Sequence, residues 1–235
     1  MSKELLVVRS MINLNPKQME DLYSSIAMQR VTGTVVLPVY CDPVVVPNDL
    51  DIKIDTPTYK SENTRYKIGD QISISLTGFG EFTATAQKHD GDRTLFIFDD
   101  CVASEKMNKD NTNKGGFDNS YLNRWLQEKL WPAFPREMKE KIRDLTIPTY
   151  GQMFGHDDWY KKVLEPDNDE QLPLMKKRKN RVADYNDEYG WYWLKNATQK
   201  SVTSSYFAYV DGSGYAYYYN ANFTFGVRPA FWLVD

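Results

Sequence analysis

The stretch Gly226-Val227-Arg228-Pro229-Ala230-Phe231-Trp232-Leu233 carries the most information about the fold. Its alternation predicts a buried last strand over 229–234, with Phe231 and Leu233 on one face and Trp232 on the other. Gly226 is expected at a tight turn. Arg228 is expected to form an internal ion pair, with binding of an anionic ligand as the alternative. We interpret the stretch as structural, and the predicted scaffold residues are Trp191, Trp193, Gly226, Arg228, Pro229 and Trp232.

The segment just before it, residues 195–225, is rich in Tyr, Ser, Asn, Thr, Ala, Gly and Phe. This composition is typical of antibody binding loops, where aromatic rings give contact area with few rotatable bonds and small polar residues adapt their hydrogen bonds. We therefore predict a ligand-binding surface in this segment. Its candidate residues are Tyr206, Tyr209, Tyr215, Tyr217, Tyr219, Asn220, Asn222, Phe223 and Phe225.

The alternative interpretation of the same segment is an ordinary hairpin over 206–219, turning at Asp211-Gly212-Ser213-Gly214, with aromatic residues paired across the strands. That alternative explains Tyr217-Tyr218-Tyr219 less well, because successive side chains of a strand point to opposite faces. At least one of these rings must leave the core, and exposed aromatic patches usually mark interaction sites.

The region between residues 62 and 225 alternates strand and helix patterns, which indicates an α+β domain. A β-meander is expected over 71–76, 81–87 and 94–98, with His89 in a turn. Asn119 or Ser120 is expected to cap a helix that buries a set of apolar residues, and Pro135 to open another. Residues 155–189 are polar enough to predict a long surface excursion. The inward residues of the two helices are predicted to be Leu122, Trp125, Leu126 and Leu130, and then Met138 and Ile142.

The first 58 residues are predicted to form a small α/β module that serves for attachment or oligomerisation. Asn15-Pro16 supplies a helix start, and the apolar spacing that follows predicts a helix to about residue 29. Short strands are expected at 5–8, 34–39, 44–46 and 51–54. The chain is thus predicted to have two parts, 1–58 and 62–235.

The net charge, the length of the apolar stretches and the N-terminal residues indicate which partners and which cellular location to expect. The formal net charge of −3 gives no basic field that would favour nucleic acid. No apolar stretch reaches membrane-spanning length, and the N-terminal residues lack a signal-peptide pattern. We therefore expect a protein made in the cytoplasm, without membrane insertion, that reaches the exterior only through assembly into a virion or through lysis.

Catalytic and metal-binding signals are weak. The acidic clusters at 99–100, 157–158 and 167–170 suggest calcium, but none has EF-hand spacing, so we favour solvated loops and predict no metal and no cofactor. His89 and His156 lack a nearby nucleophile motif, and Cys41 and Cys101 lack a second ligating residue. The basic run 176–181 is also expected to be a solvated loop.

Five motifs follow one another along the chain, namely Lys67-Ile68-Gly69-Asp70, Trp125-Leu126, Ile147-Pro148-Thr149, Trp191-Tyr192-Trp193-Leu194 and Gly226-Val227-Arg228-Pro229-Ala230. Together they resemble an uncharacterised domain family common in phages and prophages of gut bacteria, over roughly residues 62–235. That family in turn resembles the C-type-lectin-like fold of formylglycine-generating enzymes and of the variable proteins of diversity-generating retroelements. The enzymes depend on a late cysteine pair, and this sequence has no Cys after Cys101, so their chemistry is not carried over.

The resemblance implies a C-type-lectin-like domain that displays residues 195–225 to a host-surface protein or glycan. The N-terminal module looks like short modules of phage structural or accessory proteins, which implies contact with particle components or a homo-oligomer. Two other hypotheses remain. One is an intracellular structural or interaction protein with a fixed C-terminal hairpin, and the other, ranked last, is a divergent enzyme of the same fold.

If the segment is diversified by a retroelement, we expect a near-copy of the DNA encoding residues 195–225 beside the gene. The copy should differ mainly at adenines, because adenine mutagenesis of Asn codons yields this set of amino acids, and a reverse transcriptase gene should be present. Sequencing the neighbouring DNA checks this. A neighbourhood with neither feature would remove the diversification hypothesis and leave simple ligand binding.

Overall fold

The computed structural model describes residues 5–10, 22, 41–46, 66–186 and 188–234. The chain divides into two compact units, 1–61 and 62–235. In the first unit, β1 (Leu5–Ser10) pairs antiparallel with β2 (Cys41–Val46), so the strands predicted at 5–8 and 44–46 are confirmed. Residue 22 is helical. The rest of the helix predicted to residue 29 and the strands predicted at 34–39 and 51–54 lie outside the described residues.

The second unit is a mixed α+β structure, as the pattern of the sequence predicted. Among the described residues, no helix is both long and apolar enough to cross a membrane. The strands are β3 (Gln71–Leu76), β4 (Gly80–Asp90), β5 (Arg93–Phe98), β6 (Ala103–Lys106), β7 (Ile142–Thr146), β8 (Ala183–Tyr185), β9 (Glu188–Gly190), β10 (Tyr192–Ala197), β11 (Tyr206–Val210), β12 (Ala216–Asn220), β13 (Thr224–Val227) and β14 (Ala230–Val234). The helices are α1 (Tyr121–Trp125), a π-helical turn (Leu126–Leu130), α2 (Trp131–Ala133), α3 (Arg136–Lys141), α4 (Tyr150–Phe154), α5 (Asp158–Val163) and two 3-10 turns (Pro173–Lys176 and Arg178–Arg181).

Two five-stranded sheets organise this unit. The meander sheet has the order β3-β4-β5-β14-β7 and is antiparallel throughout. The hairpin sheet has the order β12-β11-β10-β13-β6, in which only β10 and β13 run parallel. The last strand thus lies inside the meander sheet, and the strand just before it lies inside the hairpin sheet. The closing stretch of the sequence therefore joins the two sheets.

Both sheets contribute alternate residues to two hydrophobic clusters, as period-2 strands require. In β5, Phe96 and Phe98 belong to the first cluster, whereas Leu95 and Ile97 belong to the second. In β14, Phe231 and Leu233 belong to the first cluster and Trp232 packs against the second, which confirms the predicted alternation. Residues 95–98 of β5 and all of β14 are apolar, as is typical of strands that bury both of their faces.

The helix that packs on the first cluster begins where the sequence predicted. The Ser120 hydroxyl accepts a hydrogen bond from the backbone N–H of Asn123 at 3.0 Å, which satisfies one of the free donors of the first turn. Leu122, Trp125, Leu126 and Leu130 are buried, as expected. The π-helical turn comes just before Pro132, which has no N–H to continue the helical ladder.

Three local predictions were wrong. His89 lies in β4 opposite Thr94, because that strand continues to Asp90 before the chain turns. Ile142 is buried but begins strand β7 rather than ending a helix. Residues 155–189 are not a surface excursion, since they contain α5 and both 3-10 turns. They also supply a set of buried apolar side chains to the second cluster, namely Tyr160, Leu164, Leu172, Met175 and Ala183.

The expectations for Gly226 and Arg228 also need correction. Gly226 lies within β13, and a Cβ atom there would come 2.6 Å from Cys101 Sγ and 2.9 Å from the Trp191 carbonyl oxygen. Close packing, not a turn, therefore requires the glycine. Arg228 is 3% exposed and belongs to none of the ion pairs found among the described residues.

The guanidinium of Arg228 is bound by oxygen atoms that carry no full charge. Nε donates to the Phe98 carbonyl at 2.7 Å, and Nη1 donates to the Tyr192 hydroxyl at 3.0 Å. Nη1 and Nη2 both donate to the Asn180 carbonyl at 3.2 Å. The guanidinium carbon also lies 5.2 Å from the centre of the Tyr192 ring. Because these partners come from separate parts of the chain, Arg228 cross-links the meander sheet, the hairpin sheet and the second 3-10 turn.

We predict that Arg228→Met lowers the free energy of unfolding by about 3 kcal/mol, because it leaves buried carbonyl groups without donors while keeping an apolar stem of similar length. Urea denaturation followed by tryptophan fluorescence measures this. Arg124→Met is the control, since Arg124 is an exposed arginine on α1. Equal losses in the two variants would contradict the cross-linking role.

Candidate functional site

An aromatic patch lies on one face of the hairpin sheet and consists of Trp191, Tyr209, Tyr217, Tyr219, Phe223 and Phe225. The register of the hairpin accounts for its central part. Tyr209 on β11 lies directly opposite Tyr217 on β12, and Phe207 lies opposite Tyr219, so all four side chains share one face. Phe207, Tyr209 and Phe225 belong to the first hydrophobic cluster. The patch therefore continues the first hydrophobic cluster to the surface of the sheet.

The floor of the patch is made by Tyr209 and Phe225, whose side chains are 7% and 5% exposed. Their ring centroids are 4.6 Å apart, and Phe225 lies at the same distance from the fully buried Trp193. Trp193 is fixed in turn by its Nε1–H, which donates to the Glu105 carbonyl at 2.9 Å. The predicted binding residues Tyr209 and Phe225 are therefore supports for the surface, with little area of their own to offer a ligand.

The rim of the patch is exposed and its rings contact the floor. Trp191 stacks on Tyr209 at 5.4 Å, and Tyr219 lies 5.8 Å from Phe225. Phe223 lies 4.9 Å from Tyr219 and 5.1 Å from Phe225. The rim residues are 47% (Trp191), 53% (Tyr217), 40% (Tyr219) and 48% (Phe223) exposed. Large apolar rings that touch one another and remain exposed are typical of interaction surfaces.

Trp191 was assigned to the scaffold by the sequence pattern, but the structure places its ring on the exposed rim. Its carbonyl accepts a hydrogen bond from the Gly226 N–H at 2.6 Å, so its backbone is held by the parallel pair of β10 and β13. The other scaffold residues lie in the interior, apart from the half-buried Trp232. That group comprises Trp193, Gly226, Arg228 and Pro229.

The remaining predicted binding residues lie outside the patch. Tyr206 stacks on Tyr218 at 5.6 Å, on the opposite face of the hairpin from Tyr217 and Tyr219. Tyr215 pairs with Arg178. Asn220 accepts a hydrogen bond from the Asn111 side chain at 2.8 Å, and Asn222 is exposed beside Phe223 in the turn that follows β12. The fold thus divides the aromatic residues of the predicted segment between two faces of the hairpin.

Two carboxylates, those of Asp211 and Glu105, lie near the patch. Burial raises the pKa of Tyr209, and the neighbouring Asp211 raises it further, so the phenol stays protonated as a hydrogen-bond donor. Glu105 lies opposite Phe225 in the pairing of β6 with β13 and accepts a hydrogen bond from the Tyr121 hydroxyl at 3.3 Å. The carboxylate of Glu105 thus borders the patch on the β6 side.

The acidic clusters have structural roles. Asp157 caps α5, accepting from the Tyr160 N–H at 2.7 Å, and also accepts from the Tyr150 hydroxyl at 2.9 Å. Asp167 accepts from the Gly151 N–H at 3.1 Å and from the Asn196 amide at 2.8 Å. These two carboxylates therefore support a helix cap and a loop. Asp157 remains exposed, as a solvated loop predicts, whereas the Asp167 side chain is only 12% exposed. Within the described ranges, no group of three or more His, Cys, Asp and Glu side chains is arranged to hold a metal ion.

The two histidines are also bound within the fold. His89 Nδ1 lies 3.1 Å from the Thr94 hydroxyl. His156 stacks on Tyr160 at 4.7 Å, and its Nε2 lies 3.2 Å from Asp167 Oδ1. The Thr94 hydroxyl that pairs with His89 belongs to a fully buried residue.

A polar groove of about 830 Å³ lies apart from the aromatic patch, lined in part by Asp167, Asp169 and Lys195. Asp169 accepts from the Thr149 hydroxyl at 2.9 Å and pairs with Lys88 at 3.4 Å. Lys195 lies over the Phe117 ring at 5.1 Å. Asp167, Asp169 and Lys195 thus already have partners within the chain.

Residues 92–234, more than half of the chain, match the model of a family described as Domain of unknown function (DUF6273). The chain belongs to this family. The DUF6273 region begins at the turn after β4 and includes the whole hairpin sheet together with β5, β7 and β14. The search of curated proteins and the search of solved structures each found no match.

Cys101 is a buried residue of the second hydrophobic cluster, within the DUF6273 region. Its thiol lies beside Gly226, and burial raises its pKa to about 12. Burial likewise raises the pKa of Tyr192 to about 12, although the adjacent Arg228 acts in the opposite direction. Both groups therefore stay neutral in the folded chain at pH values where they would ionise in the unfolded chain.

We predict that stability falls as pH rises from 9 towards 12, because the unfolded chain loses these protons first. For Cys101 the slope reaches about 1.4 kcal/mol per pH unit once the unfolded thiol is ionised. Urea denaturation at pH 8, 9.5 and 10.5 measures it. Cys101→Ala should flatten the pH dependence relative to the wild type, whereas Cys41→Ala should leave the contribution of Cys101 in place. An unchanged slope in Cys101→Ala would contradict the raised pKa.

Proposed function

We propose that this chain is a phage- or prophage-encoded binding protein whose second unit displays the aromatic patch to a host-surface protein or glycan. The observation that carries the proposal is the exposure of four rings, those of Trp191, Tyr217, Tyr219 and Phe223. Each of them contacts one of the buried floor rings, Tyr209 or Phe225. A monomeric domain without a partner gains nothing from leaving this apolar area in water.

The patch is preorganised for binding. Aromatic side chains have few rotatable bonds, and here each rim ring rests against a buried neighbour or another ring of the patch. A ligand therefore immobilises little that is not already fixed, so more of the contact energy appears as affinity. Tyr217 and Tyr219 add hydroxyl groups for hydrogen bonds at the edge of an apolar surface.

The distribution of exposure is compatible with a diversified surface. Tyr215, Tyr217, Tyr219, Asn222 and Phe223 are exposed, whereas the sequence that follows, from Phe225 to Phe231, is buried. Substitutions at the exposed positions can change the ligand without disturbing packing, because surface changes usually cost less than 0.5 kcal/mol. This is the arrangement that a retroelement-diversified variable protein needs.

We propose a C-type-lectin-like fold for residues 62–235, based on the ordered motifs that the sequence shares with that class. Most of these motifs occupy core positions: Trp125, Leu126, Ile147, Trp193 and Leu194 are buried. Two sheets joined by the last strands, with α1 packed on the first cluster, are compatible with this class. The first unit is proposed to attach the domain to a particle or to form a homo-oligomer, so that several weak contacts act together.

No catalytic role is proposed. The thiol of Cys101 is buried with a raised pKa, so little nucleophilic thiolate forms at neutral pH. The histidines contact Thr94, Tyr160 and Asp167. We likewise propose that neither a cofactor nor a metal is needed for binding.

The test is a screen of the full chain on immobilised glycans and on bacterial cell surfaces, with the wild type compared with Tyr217→Ala and Tyr219→Ala. We expect each substitution to weaken binding by about 30-fold, since central aromatic anchors contribute about 2 kcal/mol. Ile68→Ala is the control, because Ile68 is 38% exposed but precedes β3 of the meander sheet.

Circular dichroism should show the same thermal transition for all three variants as for the wild type. Binding that is unaffected by Tyr217→Ala and Tyr219→Ala would move the site elsewhere. The absence of any ligand in both screens would instead favour the alternative of an intracellular protein with a fixed hairpin.

A further inference from the structure

The basic segment, residues 176–181, has the sequence Lys-Lys-Arg-Lys-Asn-Arg, in which five of six residues are cationic. Lys176, Lys177, Arg178 and Lys179 are exposed. None of the ion pairs among the described residues includes a member of this segment. In a chain of net charge −3, this segment is a local concentration of positive charge.

The sequence predicted a solvated loop here, but the backbone of the basic segment is anchored to the core. Its last residues form a 3-10 turn, and the Asn180 carbonyl accepts hydrogen bonds from both terminal nitrogens of the buried Arg228. The next carbonyl, that of Arg181, accepts from the Tyr192 hydroxyl at 2.6 Å. Met175, just before the segment, is 2% exposed. The cations are therefore presented from a fixed backbone.

Arg178 links this segment to the hairpin that carries the aromatic patch. Its guanidinium carbon lies 5.0 Å from the centre of the Tyr215 ring, and Nη1 donates to the Tyr215 hydroxyl at 2.8 Å. Tyr215 is 49% exposed and precedes the rim residue Tyr217 by two positions. Within the described part of the chain, that hydroxyl is the only hydrogen-bond partner of the Arg178 side chain. The remaining N–H groups are free for an anion, and a guanidinium fork suits carboxylate and phosphate geometry.

Charge is distributed unevenly along this surface. Cations lie at the Tyr215 end of the hairpin, together with the Asp211 carboxylate, which accepts from the backbone N–H groups of Ser213 and Tyr215 within the turn. The rings of the patch are neutral, and the carboxylate of Glu105 borders the patch at β6. Nucleic acid carries a phosphate on every nucleotide, so it would bring negative charge over the neutral rings and towards Glu105. A ligand with neutral units for the rings and an acidic group for Arg178 fits this distribution better.

We propose that the ligand is an acidic glycan, in which neutral sugar units lie on the aromatic patch and a carboxylate or phosphate group binds Arg178 and the adjacent lysines. This inference rests on the proposed function and specifies its ligand class. The shared chemistry is a negatively charged oxygen group on a sugar, whether it comes from a uronic acid or from a phosphorylated sugar.

The experiment uses the full chain on an array of paired oligosaccharides. Each uronic acid member is printed beside its carboxyl-reduced form, and each phosphorylated member beside its dephosphorylated form. We expect the acidic member of bound pairs to bind about tenfold more tightly, as one charge-assisted contact provides. The preference should weaken when NaCl is raised from 50 to 300 mM.

Three variants test whether Arg178 causes the preference for acidic oligosaccharides. Arg178→Gln should remove most of the preference for acidic members and leave the binding of neutral members unchanged. Arg178→Lys should keep part of the preference, since it retains the charge but loses the planar fork. Arg124→Gln, which removes an exposed arginine on α1, is the matched control and should bind like the wild type.

The outcomes separate this inference from the proposed function. Equal binding of acidic and neutral members, or a preference that survives Arg178→Gln, would overturn the inference while glycan binding by the patch remained. Binding only to cell-surface protein would overturn it as well and leave the patch as a protein-binding site. Tighter binding of a single-stranded oligonucleotide than of any glycan would overturn it in favour of nucleic acid.

Discussion

The guanidinium of Arg228 lies in the interior of the second unit and donates hydrogen bonds to the Phe98 carbonyl, the Asn180 carbonyl and the Tyr192 hydroxyl. Burying a cation is costly unless hydrogen bonds replace its hydration. This requirement fixes the positions of all three partners at once. Because they belong to the meander sheet, the basic segment and the hairpin sheet, one side chain sets the spacing among the parts that make up the candidate site.

The aromatic patch follows from the way the hairpin sheet is covered. Both of its faces carry apolar residues, since alternate side chains of β10 and β11 enter the two hydrophobic clusters. The first cluster continues outward through Phe225 and Tyr209 to rings that remain exposed. The surface is therefore continuous with the core, which explains how exposed rings are held in fixed positions. A binding surface built in this way combines rigidity with freedom to vary the outermost residues.

Much of the strand pattern was predictable from the sequence, and so was the position of the hairpin that carries the candidate site. The period-2 alternation of β3 and β14, the cap at Ser120 and the hairpin around residues 211–214 are local signals, and the structure confirms them. The fate of residues 155–189 was not predictable. Their apolar residues are spaced widely among charged ones, so no periodicity shows that Tyr160, Leu172 and Met175 enter a core. Such burial depends on partners far away in the sequence.

The sequence by itself determined that residues 195–225 carry more aromatic and small polar residues than a hairpin needs, and that strand alternation must expose some of them. Only the tertiary structure decided which rings those are. It buried Tyr209 and Phe225, exposed Trp191, and placed Arg178 of a distant segment against Tyr215. The physical reason is that exposure depends on what covers each face of a sheet. Coverage is set by contacts such as those of Arg228, whose partners lie up to 130 positions away in the chain.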